Sequence, residues 1–130
     1  MTVASHADCP FCQTLKEDRL VCEFGSVFAV LDKHPVTEGH HLVISKRHIA
    51  DFFAMNHAER RDAEALLLLL KKQIQGEDRR VTGFNIGMNC GEVAGQTVMH
   101  AHIHLIPRRA GDVEAPRGGV RGCIPGKMGY

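Results

Sequence analysis

The segment Met99-His-Ala-His-Ile-His-Leu-Ile-Pro107 places three histidines, His100, His102 and His104, at alternating positions. The residues between them are apolar, and this period of two predicts a β-strand with imidazoles on one face and core residues on the other. The proline predicts that the strand ends at Pro107. Because same-face side chains two residues apart stand roughly 6.5 to 7 Å from each other, the imidazole row matches the size of a phosphate group. The segment therefore indicates phosphate chemistry.

Length and composition predict a single globular domain. With 130 residues, 44% of them hydrophobic, the chain can bury a core without covalent or metal cross-links. A net charge of +1 gives no reason to expect nucleic acid or an anionic membrane as a partner. Residues 1–7 lack the pattern of a signal peptide, and the longest apolar run, residues 65–70, is too short to cross a bilayer. We expect a soluble cytoplasmic protein, in which five cysteines indicate metal ligands or free thiols.

Three β-prone runs precede the long helix. Residues 19–24 and 27–32, separated by Gly25 and Ser26, predict a hairpin, and residues 41–45 predict a third strand. Residues 81–89 predict a further strand after the helix, followed by a glycine-containing loop and the histidine strand. We therefore expect an α+β fold, an antiparallel sheet of about five strands with one long helix across it. A short helical turn is expected near Phe11 or Phe52.

The long helix carries its own start and stop signals. Asn56 and Glu59 have the spacing of a capping box, and Gly76 predicts an end at about Gln75. Its apolar surface is wider than one sheet face needs, which favours a contact with a second subunit. The inner stripe consists of Ala63, Leu66, Leu67, Leu70 and Ile74, and the extra apolar residues are Leu68 and Leu69.

The chain divides into a domain of residues 1–110 and a C-terminal segment of residues 111–130. This segment is rich in Gly, Pro and Arg without periodicity, so we expect an extended arm. Its basic residues Arg117, Arg121 and Lys127 could reach a phosphate site, although a solvated tail is the favoured interpretation.

Cys9-Pro-Phe-Cys12 offers two thiolates at a spacing that suits tetrahedral zinc. A redox pair has the same spacing, but no βαβ pattern of the thioredoxin kind surrounds it. Zinc requires two more ligands, and His48 and His100 are candidates of the right type.

The stretch from Gly95 to His104 resembles the His-x-His-x-His signature of the histidine triad family of nucleotide hydrolases and transferases. The resemblance extends over about residues 9–109. It includes Gly95-Gln-Thr ahead of the triad, Asn89 six residues before Gly95, and Gly39-His40 before the third strand. Thr97 after the glutamine is more similar to the branch that cleaves dinucleoside polyphosphates than to the phosphoramidase branch, which usually has serine there.

The resemblance implies roles for the histidines. His102 aligns with the family nucleophile, which attacks the α-phosphorus and forms a nucleotidyl-histidine that water hydrolyses. A carbonyl accepting from its other ring nitrogen would hold the required tautomer. His104 and His40 would contact the α-phosphate oxygens and donate to the charge of the transition state.

Further site residues follow from the same alignment. Thr97 and Gln96 would bind the leaving group or the bridging oxygen, and Asn89 would help to fix the phosphate. Asp32 falls where the family has a ribose-binding residue. The resemblance also implies a structural zinc ion held by Cys9, Cys12, His48 and His100, no organic cofactor, and a homodimer whose sheet continues across the long helix and a neighbouring strand.

Several functions remain open at this point. The leading one is hydrolysis at the α-phosphate of dinucleoside polyphosphates or related nucleotide conjugates, with adenosine phosphoramidates as the alternative substrate or nucleotidyl transfer as the alternative reaction. A second is a metallohydrolase whose triad histidines bind a catalytic zinc. A third is a nucleotide-binding or scaffolding protein with negligible turnover.

Overall fold

The computed structural model describes residues 8–14 and 19–130, so the expectation about residues 1–7 lies outside it. Five strands form one antiparallel sheet in the order β1-β2-β3-β5-β4, which confirms the predicted α+β fold. The helices and strands are α1 (Pro10–Thr14), β1 (Leu20–Phe24), β2 (Val27–Leu31), β3 (His41–Ser45), α2 (His57–Glu77), β4 (Val81–Gly87) and β5 (His102–Arg109). Short 3-10 turns lie at Phe52–Ala54, Glu92–Ala94 and Gly119–Cys123.

The histidine strand differs from its prediction at both ends. β5 begins at His102, so His100 precedes it, and it continues through Pro107. The carbonyl of Pro107 accepts a hydrogen bond from Thr37 Oγ1 at 2.8 Å, on the edge that faces away from β4. The N and O atoms of a strand residue point to the same edge, and the β3 partners of β5 end at Leu105. The missing N–H of the proline therefore removes no ladder hydrogen bond.

α2 covers one face of the sheet and forms the main core with it. Leu66 and Leu70 are fully buried, as the apolar stripe predicted. The helix continues two residues past Gln75, to Glu77, because Gly76 is an exposed residue of the last turn and the Asp78 backbone N–H still bonds the Ile74 carbonyl at 2.9 Å. The core residues of the sheet on this face are Val27, Ala29, Val43, Val81, Ile103 and Leu105, and Ala101 joins them from just before β5.

The opposite face of the sheet carries the histidines. Ile44 pairs with His102 and Leu42 pairs with His104 across β3 and β5. A smaller apolar cluster lies beside them and includes Phe11 of α1; its buried members are Phe28, Val30, Leu42 and Ile44. We call this side the histidine face.

The C-terminal segment is not the extended arm that the sequence predicted. Successive backbone N–H groups at 121, 124 and 127 bond carbonyls three residues earlier, and Arg121 Nε donates to the Lys127 carbonyl at 2.9 Å. Gly118 allows the chain to close, because a Cβ there would lie 2.1 Å from the Met128 carbonyl oxygen. Residues 117–130, which we call the C-terminal hook, therefore fold back on themselves. The domain boundary at residue 110 stays a prediction.

The start of α2 is joined to the loop after β3 by an ion pair between buried Glu59 and the partly exposed Arg47. The carboxylate of Glu59, 2% exposed, accepts hydrogen bonds from Arg47 Nε at 3.0 Å and Nη2 at 2.8 Å. Glu59 also completes the predicted capping box with Asn56. These hydrogen bonds, above all those from Arg47, lower the pKa of Glu59.

We expect Glu59→Gln to lower the free energy of unfolding by about 2 kcal/mol at pH 7, because it leaves Arg47 without its anionic partner. The folded pKa of Glu59 lies below its unfolded value of about 4.3. The stabilisation is therefore complete above that value and is lost as the pH falls through the folded pKa. Urea denaturation at pH 7 and pH 3 measures the effect. Exposed Glu64→Gln is the control, and an equal loss for both variants would contradict the assignment.

Candidate active site and metal centre

His102 lies at the start of β5 with its ring orientation fixed. Its Nδ1 atom is 2.8 Å from the carbonyl oxygen of His100. A carbonyl can only accept, so Nδ1 carries the proton and Nε2 of the neutral ring has a free lone pair. Burial lowers the pKa of His102, which favours this neutral form. The ring of Phe11 packs edge-on against it, with 4.7 Å between centroids.

His40 and His104 form a hydrogen-bonded pair beside it. The Val36 backbone N–H donates to His40 Nδ1 at 3.1 Å, so the His40 proton lies on Nε2. This Nε2 atom is 2.9 Å from His104 Nδ1, which must accept. The neutral His104 ring therefore carries its proton on Nε2. His40 is 3% exposed and its N–H is directed at His104, and its contact with an α-phosphate oxygen stays a prediction.

The carboxylate of Asp32 faces the same pair. Its Oδ2 atom lies 3.4 Å from His40 Nε2 and 3.9 Å from His104 Nδ1, while Oδ1 accepts from the His34 backbone N–H at 2.8 Å. Asp32 acts to raise the pKa values of both histidines, but burial outweighs it and lowers them. These three side chains are close enough to surround a metal ion. The proton on His40 Nε2 opposes that use, since a ligand atom needs its lone pair.

The side-chain amide of Gln96 is bonded to the backbone of its own loop, and its predicted contact with a leaving group stays a prediction. Gln96 is 3% exposed, and its Oε1 accepts from the Gly91 backbone N–H at 2.8 Å. Its Nε2 donates to the carbonyls of Ala50 and Val98 at 2.7 and 3.0 Å. All hydrogen-bonding groups of the amide are directed at backbone, so Gln96 fixes the loop before the triad.

Thr97 and Asn89 are exposed at that loop. Asn89 Nδ2 donates to the Gly95 carbonyl at 3.5 Å, so Asn89 lies against the start of the Gly95-Gln-Thr segment. Thr97 borders a cavity of about 370 Å³ together with Cys9, His48 and Met99. Both side chains remain available to a ligand, and their roles stay predictions.

The structure brings the four predicted metal ligands together. The nearest ligand atoms of Cys9, Cys12, His48 and His100 all lie within 4.8 Å of one another. Cys12 Sγ is 3.2 Å from His48 Nδ1, and His100 Nδ1 is 3.4 Å from Cys9 Sγ and 3.5 Å from Cys12 Sγ. A tetrahedral zinc ion with ordinary bond lengths separates its sulfur and nitrogen ligands by about 3.5 Å. The cluster therefore fits a metal ion of this kind.

His100 is held in the tautomer that such a site needs. Its Nε2 donates to the Ser45 carbonyl at 2.6 Å, which leaves the lone pair of Nδ1 directed at the two sulfur atoms. His100 and His104 belong to two separate groups of candidate ligands, His100 with Cys9, Cys12 and His48, and His104 with Asp32 and His40. Among the described residues, the triad imidazoles therefore do not converge on one metal position, which counts against the metallohydrolase hypothesis.

Several groups of this site were not identified from sequence. Three ring tautomers are set by backbone groups, namely the carbonyls of His100 and Ser45 and the N–H of Val36. Every residue type has such backbone groups, so the sequence does not reveal these contacts. Phe11, which lies inside the Cys9–Cys12 motif, packs edge-on against the His102 ring.

A known protein family matches the part of the chain that contains the three histidines of the triad. The family model of the HIT domain matches residues 13–111. This chain belongs to the HIT family. The match ends before the C-terminal hook. An uncharacterised HIT-like protein of Methanocaldococcus jannaschii is 37% identical to this HIT protein over 118 residues, 85% of the chain and 87% of the relative.

Two further relatives bear on chemistry. The adenosine 5′-monophosphoramidase of Candida albicans is 32% identical over 114 residues, which cover 82% of this chain and 74% of that enzyme. The solved structure of a zinc-bound histidine triad family protein from Mycobacterium smegmatis has a TM-score of 0.75 and 31% identity, and the match covers 83% of this chain and 80% of that one.

Proposed function

We propose that this HIT protein hydrolyses nucleotide conjugates at the α-phosphate through a covalent intermediate on His102. The observation that carries the proposal is the bond from His102 Nδ1 to the His100 carbonyl, which leaves Nε2 unprotonated. An unprotonated imidazole nitrogen is the nucleophile that this chemistry requires. The neighbouring His40 and His104 pair supplies a directed N–H donor on the same face.

In the first step, His102 Nε2 forms a bond to the α-phosphorus while the bond to the leaving group breaks. The leaving group departs with the bonding pair and takes up a proton. In the second step, water attacks the same phosphorus and the phosphorus–Nε2 bond breaks, which restores neutral His102 and releases the nucleoside monophosphate. The proton that water loses passes to solvent and balances the one that the leaving group took from solvent. His104 Nε2–H stabilises the charge on the phosphoryl oxygens in both steps. Thr97 and Asn89 bind phosphate or leaving group, and Asp32 accepts from the ribose hydroxyls.

Zinc is the metal that we propose for the Cys9, Cys12, His48 and His100 cluster. Two thiolates and two imidazoles form a closed ligand set typical of structural zinc, and a related protein has been solved in a zinc-bound form. With four protein ligands, the ion joins α1 to the segments that precede β5 and follow β3. Its role is to stabilise the fold.

A substrate panel tests the proposed activity. Single-turnover and steady-state kinetics with a dinucleoside polyphosphate and with an adenosine phosphoramidate should show cleavage of at least one. The Candida albicans relative favours the second as an alternative substrate. Binding of both without turnover would contradict the enzyme assignment and support a nucleotide-binding protein.

His40 is proposed as a positioning residue for His104. We expect His40→Ala to lower kcat by about 10- to 100-fold with a smaller change in KM, because His104 loses the donor that fixes its tautomer. His41→Ala is the matched control, since the neighbouring His41 pairs with Leu105 on the opposite face of the sheet. A loss confined to KM, or an equal loss for both variants, would contradict this role.

We also propose a homodimer in which a second copy covers the α2 and β4 side. β4 is an edge strand, and an apolar groove of about 460 Å³ lies beside it. Exposed Leu68 and Ile86 border this groove. A second copy of β4 would continue the sheet. Sedimentation velocity should show a dimer at micromolar concentration, and a monomer there would contradict the proposal.

A cytoplasmic location remains part of the proposal. No helix in the described ranges has the length and apolarity needed to cross a bilayer. Cys22, Cys90 and Cys123 are free thiols, which suits a reducing compartment.

A further inference from the structure

The C-terminal hook lies on the histidine face of the sheet. Asn85 of β4 pairs with Ile106, which alternates with the core-facing Leu105 and shares its face with His104. A side chain at Gly119 would begin 3.2 Å from Asn85 Nδ2, so the hook packs on this side. Because Ile106 and His104 are two positions apart, the contact lies roughly 7 Å along the sheet from the His104 position.

The hook is held in one shape by its own side chains. The guanidinium groups of Arg117 and Arg121 lie 4.7 and 4.9 Å from the centroid of the Tyr130 ring. Two cations on one ring fix the chain end against the 3-10 turn. Together with the close approach of Gly118 to Met128, these contacts keep both arginines beside the Tyr130 ring.

The hook is also strongly basic. From residue 115 to the end, the sequence contains Arg117, Arg121 and Lys127 and no Asp or Glu. Among the described residues, neither Arg117 nor Arg121 forms an ion pair. Arg108 of β5 is by contrast paired with Asp112 at 2.8 Å. Two guanidinium groups without an acidic partner, both within 5 Å of the centroid of one ring, suit a ligand with several phosphate oxygens.

We propose that the C-terminal hook binds the polyphosphate part of the leaving group, beyond the α-phosphate that His102 attacks. This inference rests on the proposed hydrolase function and assigns its substrate class. A leaving group with two or more phosphates is held by Arg117 and Arg121, whereas the amine of a phosphoramidate has no anionic group to offer them. The hook therefore makes the protein selective for dinucleoside polyphosphates.

The test is a ratio of two activities. We measure kcat/KM for diadenosine tetraphosphate and for adenosine 5′-phosphoramidate in the wild-type protein and in the double variant Arg117→Ala/Arg121→Ala. The expected result is a fall of at least about tenfold in the polyphosphate-to-phosphoramidate ratio, since two charge-assisted contacts are lost for one substrate. The double variant Arg61→Ala/Lys72→Ala removes two exposed cations from α2, on the other side of the sheet, and should keep the ratio within about twofold.

The outcomes separate this inference from the function on which it rests. Wild-type protein that cleaves neither substrate overturns the proposed function. Wild-type protein that cleaves a substrate while the Arg117 and Arg121 variant keeps the same ratio overturns the role of the hook alone. An equal loss for both substrates with a lowered melting temperature shows a purely structural hook and also overturns it. The variant Arg117→Lys/Arg121→Lys should restore part of the ratio, because it keeps the charge.

Discussion

Replacing His102 with glycine is expected to lower kcat/KM for nucleotide cleavage by at least about 10⁴-fold, because the atom that bonds to phosphorus is removed. The nucleotide should still bind, since His104, Asp32 and the loop with Thr97 are untouched. Steady-state kinetics and nucleotide titration measure the two effects separately. Rapid quenching of the wild-type reaction followed by peptide mass analysis should find the nucleotidyl group on His102.

The glycine variant must be shown to fold, since His102 is 9% exposed and packs against Phe11. Thermal unfolding and metal content provide that control. Undiminished cleavage by a folded His102→Gly protein, or a label on another residue, would show that the reaction does not pass through this imidazole.

Loss of the metal centre is expected to have the largest effect on stability. The double variant Cys9→Ser/Cys12→Ser should lower the free energy of unfolding by about 3–5 kcal/mol and the melting temperature by roughly 10–20 °C, because metal binding is coupled to folding. Differential scanning calorimetry with zinc analysis measures both. Cys123→Ser removes an exposed thiol and should leave the transition unchanged.

Chelation separates a structural from a catalytic ion. Metal-free protein assayed below its melting temperature should keep turnover within about tenfold of the intact protein, far above the level of His102→Gly. Inactive but folded metal-free protein would instead support the metallohydrolase hypothesis. An unchanged melting temperature after chelation would contradict the structural role of the cluster.

Patterns of apolar residues predicted most of the fold. The apolar alternation around Ile103 and Leu105 predicted β5, and the apolar stripe with Leu66 and Leu70 predicted α2. Such patterns are reliable because the need to bury one face applies along the whole length of a strand or helix. The ends of elements depend on single local contacts instead. Gly76 stays helical because one more backbone bond forms at Asp78. Pro107 stays in β5 because its backbone faces the edge where Thr37, and no strand, is the partner.

The metal ligands were predictable because their chemistry restricts residue type and spacing. The roles of the other polar residues were not predictable, because they depend on which side-chain atoms form hydrogen bonds with backbone groups. Gln96 and His40 have the residue types of ligand-binding side chains, yet one fixes a loop and the other orients His104. The hook was missed because it is built from turns and from two arginines around Tyr130, neither of which leaves a periodic pattern.

The alternation along β5 restricts how this segment can evolve in length. His102 and His104 face one side while Ile103 and Leu105 face α2, so inserting or deleting one residue here would turn the imidazoles into the core and the aliphatic side chains into water. Inserting or deleting two residues preserves the alternation but shifts the histidines along β3. Indels in descendants of this gene should therefore be confined to loops, and the strand should vary only by substitution.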